Sequence, residues 1–461
     1  MNVKKLNLGI CVSHACNMRH TFCFQNSFSN QRLSDSFLYD RLNSTYADSE
    51  YISVIGGELT VIPSMKEYLA HIRNTNREAK ISIVTNGLAF DEDWIKVCIE
   101  NRISVNFSLD ATCEERYANL VATAENPFKE IYENYLNAVR AVENGLLLNC
   151  ISMVVTDSSV DDIEDFVKLA LRDGVNAQIL YSNNECVPLT TKIKESVFKA
   201  MRLKEFCRNY IDVRLLNLPD EYCLNAYTNM QDFVASMKST EKAEFLKQNP
   251  HRKAPVKYDE WSFYGVSSSC DRCTLPWNGL YIMPNGDVMI CCCMSNYIIG
   301  NLYFQSIEEI RNSSYAKGIQ EAIGQDDYSY CWERCRLNYY PKKSLIIGGF
   351  WDDLQKTFDS GKYEDYYART EYENQYEGFA DPKIIYQKAF SAHMIGKINE
   401  ALELYNKALE KGFDEFWVRY NRADVYLHLG MRTEAKSDIT IAHRLQPNHE
   451  GAREMAKGLE G

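Results

Sequence analysis

The first 190 residues alternate between two kinds of segment, and this alternation limits the fold more than any other feature. Short β-branched runs ("LNLGICVS", "YISVIGG", "ISIVTNG", "ISVNFSLD", "LLLNCISMVVT" and "NAQILYSN") are separated by amphipathic stretches such as "MKEYLAHIRNTNREA" and "VDDIEDFVKLALRDG". Repeated strand–helix units predict a parallel sheet with right-handed crossovers. The pattern fades after the sixth run, so an open, partial β/α barrel fits better than a closed eight-stranded one. In such folds chemistry gathers at the C-terminal ends of the strands, and the short motifs "GGE", "TNG" and "SLD" fall there.

The expected architecture is α/β, with residues 1–190 forming a partial (β/α)6 TIM-like barrel. Residues 191–265 read as a helical connection, 266–340 as a small cysteine-rich β-hairpin/α domain, and 341–378 as a linker rich in Tyr, Asp and Glu. Residues 379–461 form an all-α domain that declares itself by repetition. "GKINEALELYNKALEKG" and "GMRTEAKSDITIAHRLQP" align with Gly396 on Gly430, Ala401 on Ala435 and Ala408 on Ala442, while Ala389 falls on Ala423. Small residues at those positions let antiparallel helices approach closely. The 34-residue offset with this pattern resembles the tetratricopeptide repeat, which implies a docking surface. Two repeats are fewer than such arrays usually need, so they are expected to pack on the rest of the chain or on a second copy in a homo-oligomer.

A formal charge of -12 gives no basic face for nucleic acid or an anionic membrane. No stretch approaches the roughly 20 apolar residues of a membrane span, and the start reads as a strand rather than an export signal. A cytoplasmic location follows, where 16 cysteines favour metal binding over disulfides. Cys98, Cys113, Cys150, Cys186, Cys207 and Cys223 are isolated in apolar or helical contexts and read as small buried hydrophobes. The informative cysteines lie at the front and between Cys270 and Cys335.

At the front, "CNMRHTFCF" spaces Cys16, His20 and Cys23 as an iron–sulfur loop would space three ligands, with histidine in the middle. Alone this is weak evidence. It sits after the first strand, however, with "GGE", "TNG" and "SLD" following the next three in order. Over roughly residues 5–185 this assembly resembles the radical S-adenosylmethionine (SAM) enzymes. The resemblance implies a [4Fe-4S] cluster held at Cys16, His20 and Cys23, with one iron left to chelate S-adenosylmethionine. It also implies cofactor contacts from Phe22 beside the adenine, Gly56 and Gly57 through close backbone approach, Glu58 to the ammonium, and Ser108 and Asp110 at the ribose. Asn86 is expected to support its loop. Leu59 replaces the proline usual in the family.

The later group, "CDRCTLPWNGLYIMPNGDVMICCC" followed by "CWERC", resembles the SPASM or shorter twitch extension of these enzymes. That likeness implies an auxiliary iron–sulfur cluster on Cys273, Cys291, Cys331 and Cys335, with Cys270, Cys292 and Cys293 as spare or substitute ligands. Structural zinc accepts the same four thiolates, so the metal stays open at this point. "MPNGDVMIC" reads as a hairpin turning at Asn285-Gly286.

Histidine can ligate iron in sulfur clusters, but a neutral imidazole makes the cluster a weaker reductant, by on the order of 100 mV per histidine. His20 as a true ligand, Cys11 as a substitute, and a missing or labile cluster all remain open. The family's chemistry implies an oxidoreductase that cleaves S-adenosylmethionine to a 5′-deoxyadenosyl radical and abstracts hydrogen from a peptide, protein or peptide-like substrate, fed by an external electron donor. Two other readings stand beside it: an impaired or inactive relative serving as scaffold or regulatory partner, and a radical enzyme of a small metabolite. The sequence begins directly at its first strand, so no separate N-terminal peptide-recognition domain is expected in it.

Overall fold

The apolar runs become strands with one fully buried face. Leu8, Ile10, Ile52, Val54, Ile81, Ile83, Val105 and Phe107 share that face along four paired strands and are all withdrawn from solvent, while Ser53, Val84, Asn106 and Ser108 on the other face are half-buried. The computed structural model describes residues 5–23, 31–122, 126–181, 190–216, 239–255, 273–292, 297–331, 348–370 and 381–460. They fall in two units, Met1–Ile299 with Arg311–Ile347, and Gly300–Ile310 with Gly348–Gly461.

In the first unit the strands are β1 (Leu6–Cys11), β2 (Ser49–Ile55), β3 (Lys80–Thr85), β4 (Ile103–Ser108), β5 (Leu147–Val154), β6 (Asn176–Leu180), β7 (Val213–Leu216), β8 (Gly279–Ile282) and β9 (Asp287–Met289). They lie in the order β9-β8-β1-β2-β3-β4-β5-β6-β7. Every neighbouring pair from β8 to β7 is parallel, and β8–β9 is antiparallel. The barrel is therefore partial and open. Between the strands run α1 (Asn43–Ala47), α2 (Met65–Thr75), α3 (Glu92–Glu100), α4 (Glu114–Ala118), α5 (Phe128–Ala141), α6 (Ile163–Asp173) and α7 (Thr191–Cys207). Each longer helix turns an apolar stripe inward. In α5 this is Phe128, Ile131, Tyr135, Ala138 and Ala141, at the three-to-four-residue spacing of one helix face.

Two features depart from the sequence reading. The segment expected as a purely helical connection carries β7, which pairs with β6 through Ala177↔Val213 to Leu180↔Leu216 and adds a seventh strand–helix unit. "VRLL" is short and follows "NYID", so its strand character depends on the β6 edge it finds. The second departure is in the hairpin. Its turn bond runs from the Gly286 N–H to the Met283 carbonyl at 2.9 Å, so Pro284 and Asn285 are its central residues and Gly286 follows with φ +81°. The hairpin also adds to the barrel sheet directly, with β8 alongside β1 from Asn7↔Gly279 to Ile10↔Ile282.

The second unit is all-helical in its C-terminal part: α8 (Pro382–Met394), α9 (Ile398–Glu410), α10 (Glu415–His428), α11 (Arg432–Leu445) and α12 (Glu450–Glu460). Ala389, Ala401, Ala408, Ala423, Ala435 and Ala442 are all fully buried. The two inter-helix turns match: Lys397 N–H bonds Ala392 O at 2.9 Å, and Met431 N–H bonds Tyr426 O at 2.8 Å. Gly396 and Gly430 take φ +81° and +75° there. No described helix is long and apolar enough to cross a membrane.

Candidate functional site

The loop leaving β1 is fastened to the end of β2 by backbone bonds. Val12 N–H reaches Ile55 O, Gly57 N–H reaches Ser13 O, and Glu58 N–H reaches Ala15 O, each at 2.8 Å. A Cβ on Gly57 would lie 2.2 Å from the Ala15 carbonyl oxygen, so only glycine lets the two loops touch. The space that Gly57 leaves is filled by the chain's own backbone.

Glu58 is 2% exposed, and its carboxylate ties its own loop to the one after β3. Oε1 accepts from Thr60 N–H (3.1 Å), the Thr60 hydroxyl (2.7 Å) and the Thr85 hydroxyl (2.8 Å). Oε2 accepts from Asn86 N–H at 2.6 Å. Burial raises its pKa, and the hydrogen bonds from Asn86, Thr60 and Thr85 oppose the rise. All these donors are neutral. Asn86 in turn donates to Asn17 Oδ1 at 2.8 Å and faces the Cys16 sulfur at 4.0 Å. Burial pushes the Cys16 thiol up, opposed by the Met18 N–H, while Glu58 and Cys23 add to the rise. Cys16, Cys23 and Glu58 therefore share one electrostatic environment.

His20 occupies a more enclosed place. Residues 19–21 pair with the stretch after α4: His20 bridges to Val121, Thr21 N–H bonds Leu120 O at 2.9 Å, and Ala122 N–H bonds Arg19 O at 2.8 Å. The imidazole stacks on Phe22 at 5.0 Å. Its Nε2 lies 3.3 Å from the Tyr117 hydroxyl and 4.0 Å from Asp110 Oδ2. Burial pushes His20 down to about 4 and Asp110 up to about 7, so between those values both are in their neutral forms. Asp110 holds a left-handed backbone (φ +56°) and accepts from Val154 N–H at 3.0 Å, while Ser108 meets the Ser152 hydroxyl at 3.3 Å. Sequence reasoning missed Tyr117 and the Leu120–Ala122 ledge, for which no motif exists. It also missed buried Asp162, which accepts from Thr112 N–H (2.6 Å) and from Arg116 and so fixes the turn after Asp110.

Cys11 packs on the side of β1 that meets the hairpin. It lies in β1, 5% exposed, packed with Tyr281 and Met289, and burial pushes its thiol up to about 12. Of the expected auxiliary ligands, Cys291 follows β9 and is buried, Cys331 is buried beyond helix Ser314–Gly324, and Cys273 is half-buried. Cys335, and with it Cys270 and Cys293, lies outside the described residues. Cys292 packs against the Cys11 cluster.

The donor chemistry of the front loop fits an iron–sulfur cluster at two thiols, and at a third position through one imidazole nitrogen. Nε2 of His20 faces Tyr117 and Asp110. Glu58 fits a cationic cofactor group, being a buried carboxylate that no described cation neutralises.

Residues 10–170 match the model of the radical SAM superfamily, and residues 273–336 match SPASM, an iron–sulfur cluster-binding domain. The chain thus carries a radical SAM domain followed by a SPASM domain. Together these domains indicate a [4Fe-4S] cluster and an auxiliary cluster. Among known proteins, the chain is 32% identical over 139 residues to a cysteine-type anaerobic sulfatase-maturating enzyme of Clostridium novyi, covering 26% of this chain and 37% of that one. It is 22% identical over 185 residues to an S-adenosylmethionine-dependent nucleotide dehydratase of Psychrobacter lutiphocae, covering 36% and 61%. The matches thus span less than two thirds of either relative. Among solved structures, SuiB of Streptococcus suis bound to precursor peptide SuiA aligns with a TM-score of 0.49 at 16% identity, over 77% of this chain and 73% of that one. The anSMEcpe protein with bound AdoMet aligns at 0.47 and 17%, over 86% and 98%.

Proposed function

We propose that this chain is a radical S-adenosylmethionine enzyme that removes a hydrogen atom from a peptide or protein substrate. The observation that carries the reading is the interlock of the loops after β1 to β4 around Cys16. Ser13, Ala15, Asn17, Gly57, Glu58 and Asn86 are joined by direct bonds, and His20 reaches Asp110 from the same loop. In this reading Cys16, Cys23 and His20 hold the [4Fe-4S] cluster, and Cys273, Cys291, Cys331 and Cys335 hold the auxiliary one. When bound, the reduced cluster and S-adenosylmethionine supply one-electron cleavage that ends in methionine and 5′-deoxyadenosine. The protein's part is to orient and enclose. Glu58 would present its carboxylate to the cofactor's ammonium, Ser108 and Asp110 would serve the ribose, and Phe22 the adenine. Gly56 and Gly57 keep the loops close enough for these groups to converge.

The peptide or protein class is favoured because the more similar relative by identity is named for maturing a sulfatase, itself a protein. The other is named for dehydrating a nucleotide, which keeps a small-molecule substrate as the competing outcome. In the proposal the C-terminal helices act as a tetratricopeptide-type docking surface for the partner, and an external donor supplies the electron.

The bonding of His20 Nε2 to Tyr117 favours a second reading, a relative with a weakened or silent cluster. Anaerobic reconstitution followed by 5′-deoxyadenosine assay separates the two. The enzyme reading expects slow cofactor cleavage by the unmodified chain and a roughly fiftyfold gain in His20→Cys, the factor that about 100 mV represents at about 59 mV per decade. No cleavage without substitution, but cleavage in His20→Cys, supports the silent relative. Unchanged iron content and cleavage in both proteins would defeat the assignment of position 20 as a ligand.

A further inference from the structure

Outside the barrel, one side-chain cluster has no role in the function just proposed. At the end of α8 and on α10, His393, Asp424 and His428 bring one ligand atom each to within 4.8 Å of one another. His393 Nε2 stands 3.2 Å from Asp424 Oδ2, and His428 Nδ1 is 3.9 Å from the same oxygen. Asp424 and His428 are one helical turn apart, so α10 presents both on one face. His393 comes from a different helix hairpin, so the cluster is a tertiary arrangement and not a local accident of one helix.

We propose that His393, Asp424 and His428 form a binding site for a divalent transition-metal ion of the zinc type. Two imidazoles with one carboxylate are borderline ligands that suit such ions, whereas calcium and magnesium call for oxygen sets. The His393 side chain is 10% exposed, and Nε2, the nitrogen that faces Asp424, is the one an ion would take, while Nδ1 stays buried without a hydrogen-bond partner. His428 Nδ1 also lies 2.9 Å from the Asp424 carbonyl oxygen, a bond that an ion taken at Nδ1 would replace and one taken at Nε2 would keep. Asp424 and His428 are 42% and 55% exposed, so an ion can enter from solvent and would keep an open position for water or a partner's side chain. Bound there, the ion would clasp α8 to α10 across the repeat boundary.

The test uses the full-length chain with its clusters assembled, equilibrated anaerobically with micromolar zinc and analysed for metal. The unmodified chain should hold about one zinc per chain more than Asp424→Asn or His428→Ala, zinc at the cysteines being common to all. Zinc should raise the melting temperature of the unmodified chain and leave that of both variants unmoved. Both substitutions are at exposed positions, and matching far-UV circular dichroism without metal would show that the variants fold. Equal zinc content in all three proteins would overturn the site. Because the readout is metal content, this result stands apart from whether the barrel cleaves its cofactor.

Discussion

Two buried carboxylates, Glu58 in the barrel loops and Asp438 in the helical repeats, are satisfied in opposite ways. Asp438 is 3% exposed and is clamped by two guanidinium groups: Arg422 reaches it at 2.6 and 2.8 Å and Arg419 at 2.8 Å. Glu58 is as deeply buried, yet its bonds come from a backbone amide on each of two loops and from two hydroxyls, none of them charged. A carboxylate already facing two cations has nothing left to attract. One held in place by neutral donors keeps its charge for a third party. The repeats use their carboxylate for cohesion, and under the proposed function the barrel would hold its own for the cofactor's ammonium.

The largest effect is expected where the charge is internally compensated. Asp438→Ala leaves two partly buried guanidinium groups without their anion, and should cost about 3–5 kcal/mol. Hydrogen exchange should show the loss concentrated in α10 and α11, whereas a shift below 1 kcal/mol would mean that water replaces the carboxylate freely. Next comes Gly57→Ala, where the new methyl meets the Ala15 backbone oxygen and not a yielding side chain. Overpacking of this kind costs about 1–3 kcal/mol. The more telling outcome is at the loop itself, where the iron content of the front cluster should fall while that of the auxiliary cluster holds. Equal loss at both would say that Gly57 matters to the whole unit.

The same contrast explains what the sequence made legible. In the repeats the partners lie 16 and 19 residues apart, so a recurring pattern of small residues records the packing directly. The strands of the open sheet were legible too, because burial of one face puts an apolar residue at every second position, as at Leu8 and Ile10 or Ile52 and Val54. The seventh strand and the pairing of β8 with β1 were not. Gly279–Ile282 meets Asn7–Ile10 across most of the first unit, and no local pattern encodes which edge a strand will find. The candidate site divides the same way. Its motif residues announced themselves at strand ends. The groups that hold them come from distant, unremarkable stretches: Tyr117 at Nε2 of His20, Asp162 under Thr112, and Leu120–Ala122 beside Arg19–Thr21. A hydroxyl or a ledge of backbone needs no special residue type, so it leaves no signature.

If Glu58 is held ready for a cation, charge removal there should affect binding more than folding. Glu58→Gln keeps an acceptor for Thr60 and Thr85 but can turn an amide N–H toward that of Asn86, at about 1–3 kcal/mol. Loss of an unwelcome buried charge offsets part of that cost. The expected net is a stability change near 1 kcal/mol with at least a tenfold weaker affinity for S-adenosylmethionine, which is about 1.4 kcal/mol. Calorimetric titration of the reconstituted protein would measure it. Unchanged affinity would remove Glu58 from the cofactor site and reduce it to a loop tie, erasing its difference from Asp438.

The smallest effect, about 1 kcal/mol, is expected from Tyr117→Phe, which deletes one hydrogen bond to an imidazole while keeping the ring that packs there. Its value lies in the direction of a second readout. Under the proposed function, with Nε2 facing Tyr117 and Asp110, His20 would offer iron its Nδ1, and the Tyr117 hydroxyl helps to set the ring's orientation. Removing it should leave the fold intact and shift the electron paramagnetic resonance signal of the reduced front cluster, because a ligand's outer hydrogen bond tunes the metal through it. A His20→Cys background should abolish that sensitivity, since a thiolate at position 20 makes no such bond. An identical signal in both backgrounds would place His20 off the iron, its bond to Tyr117 then being a packing contact of the loop.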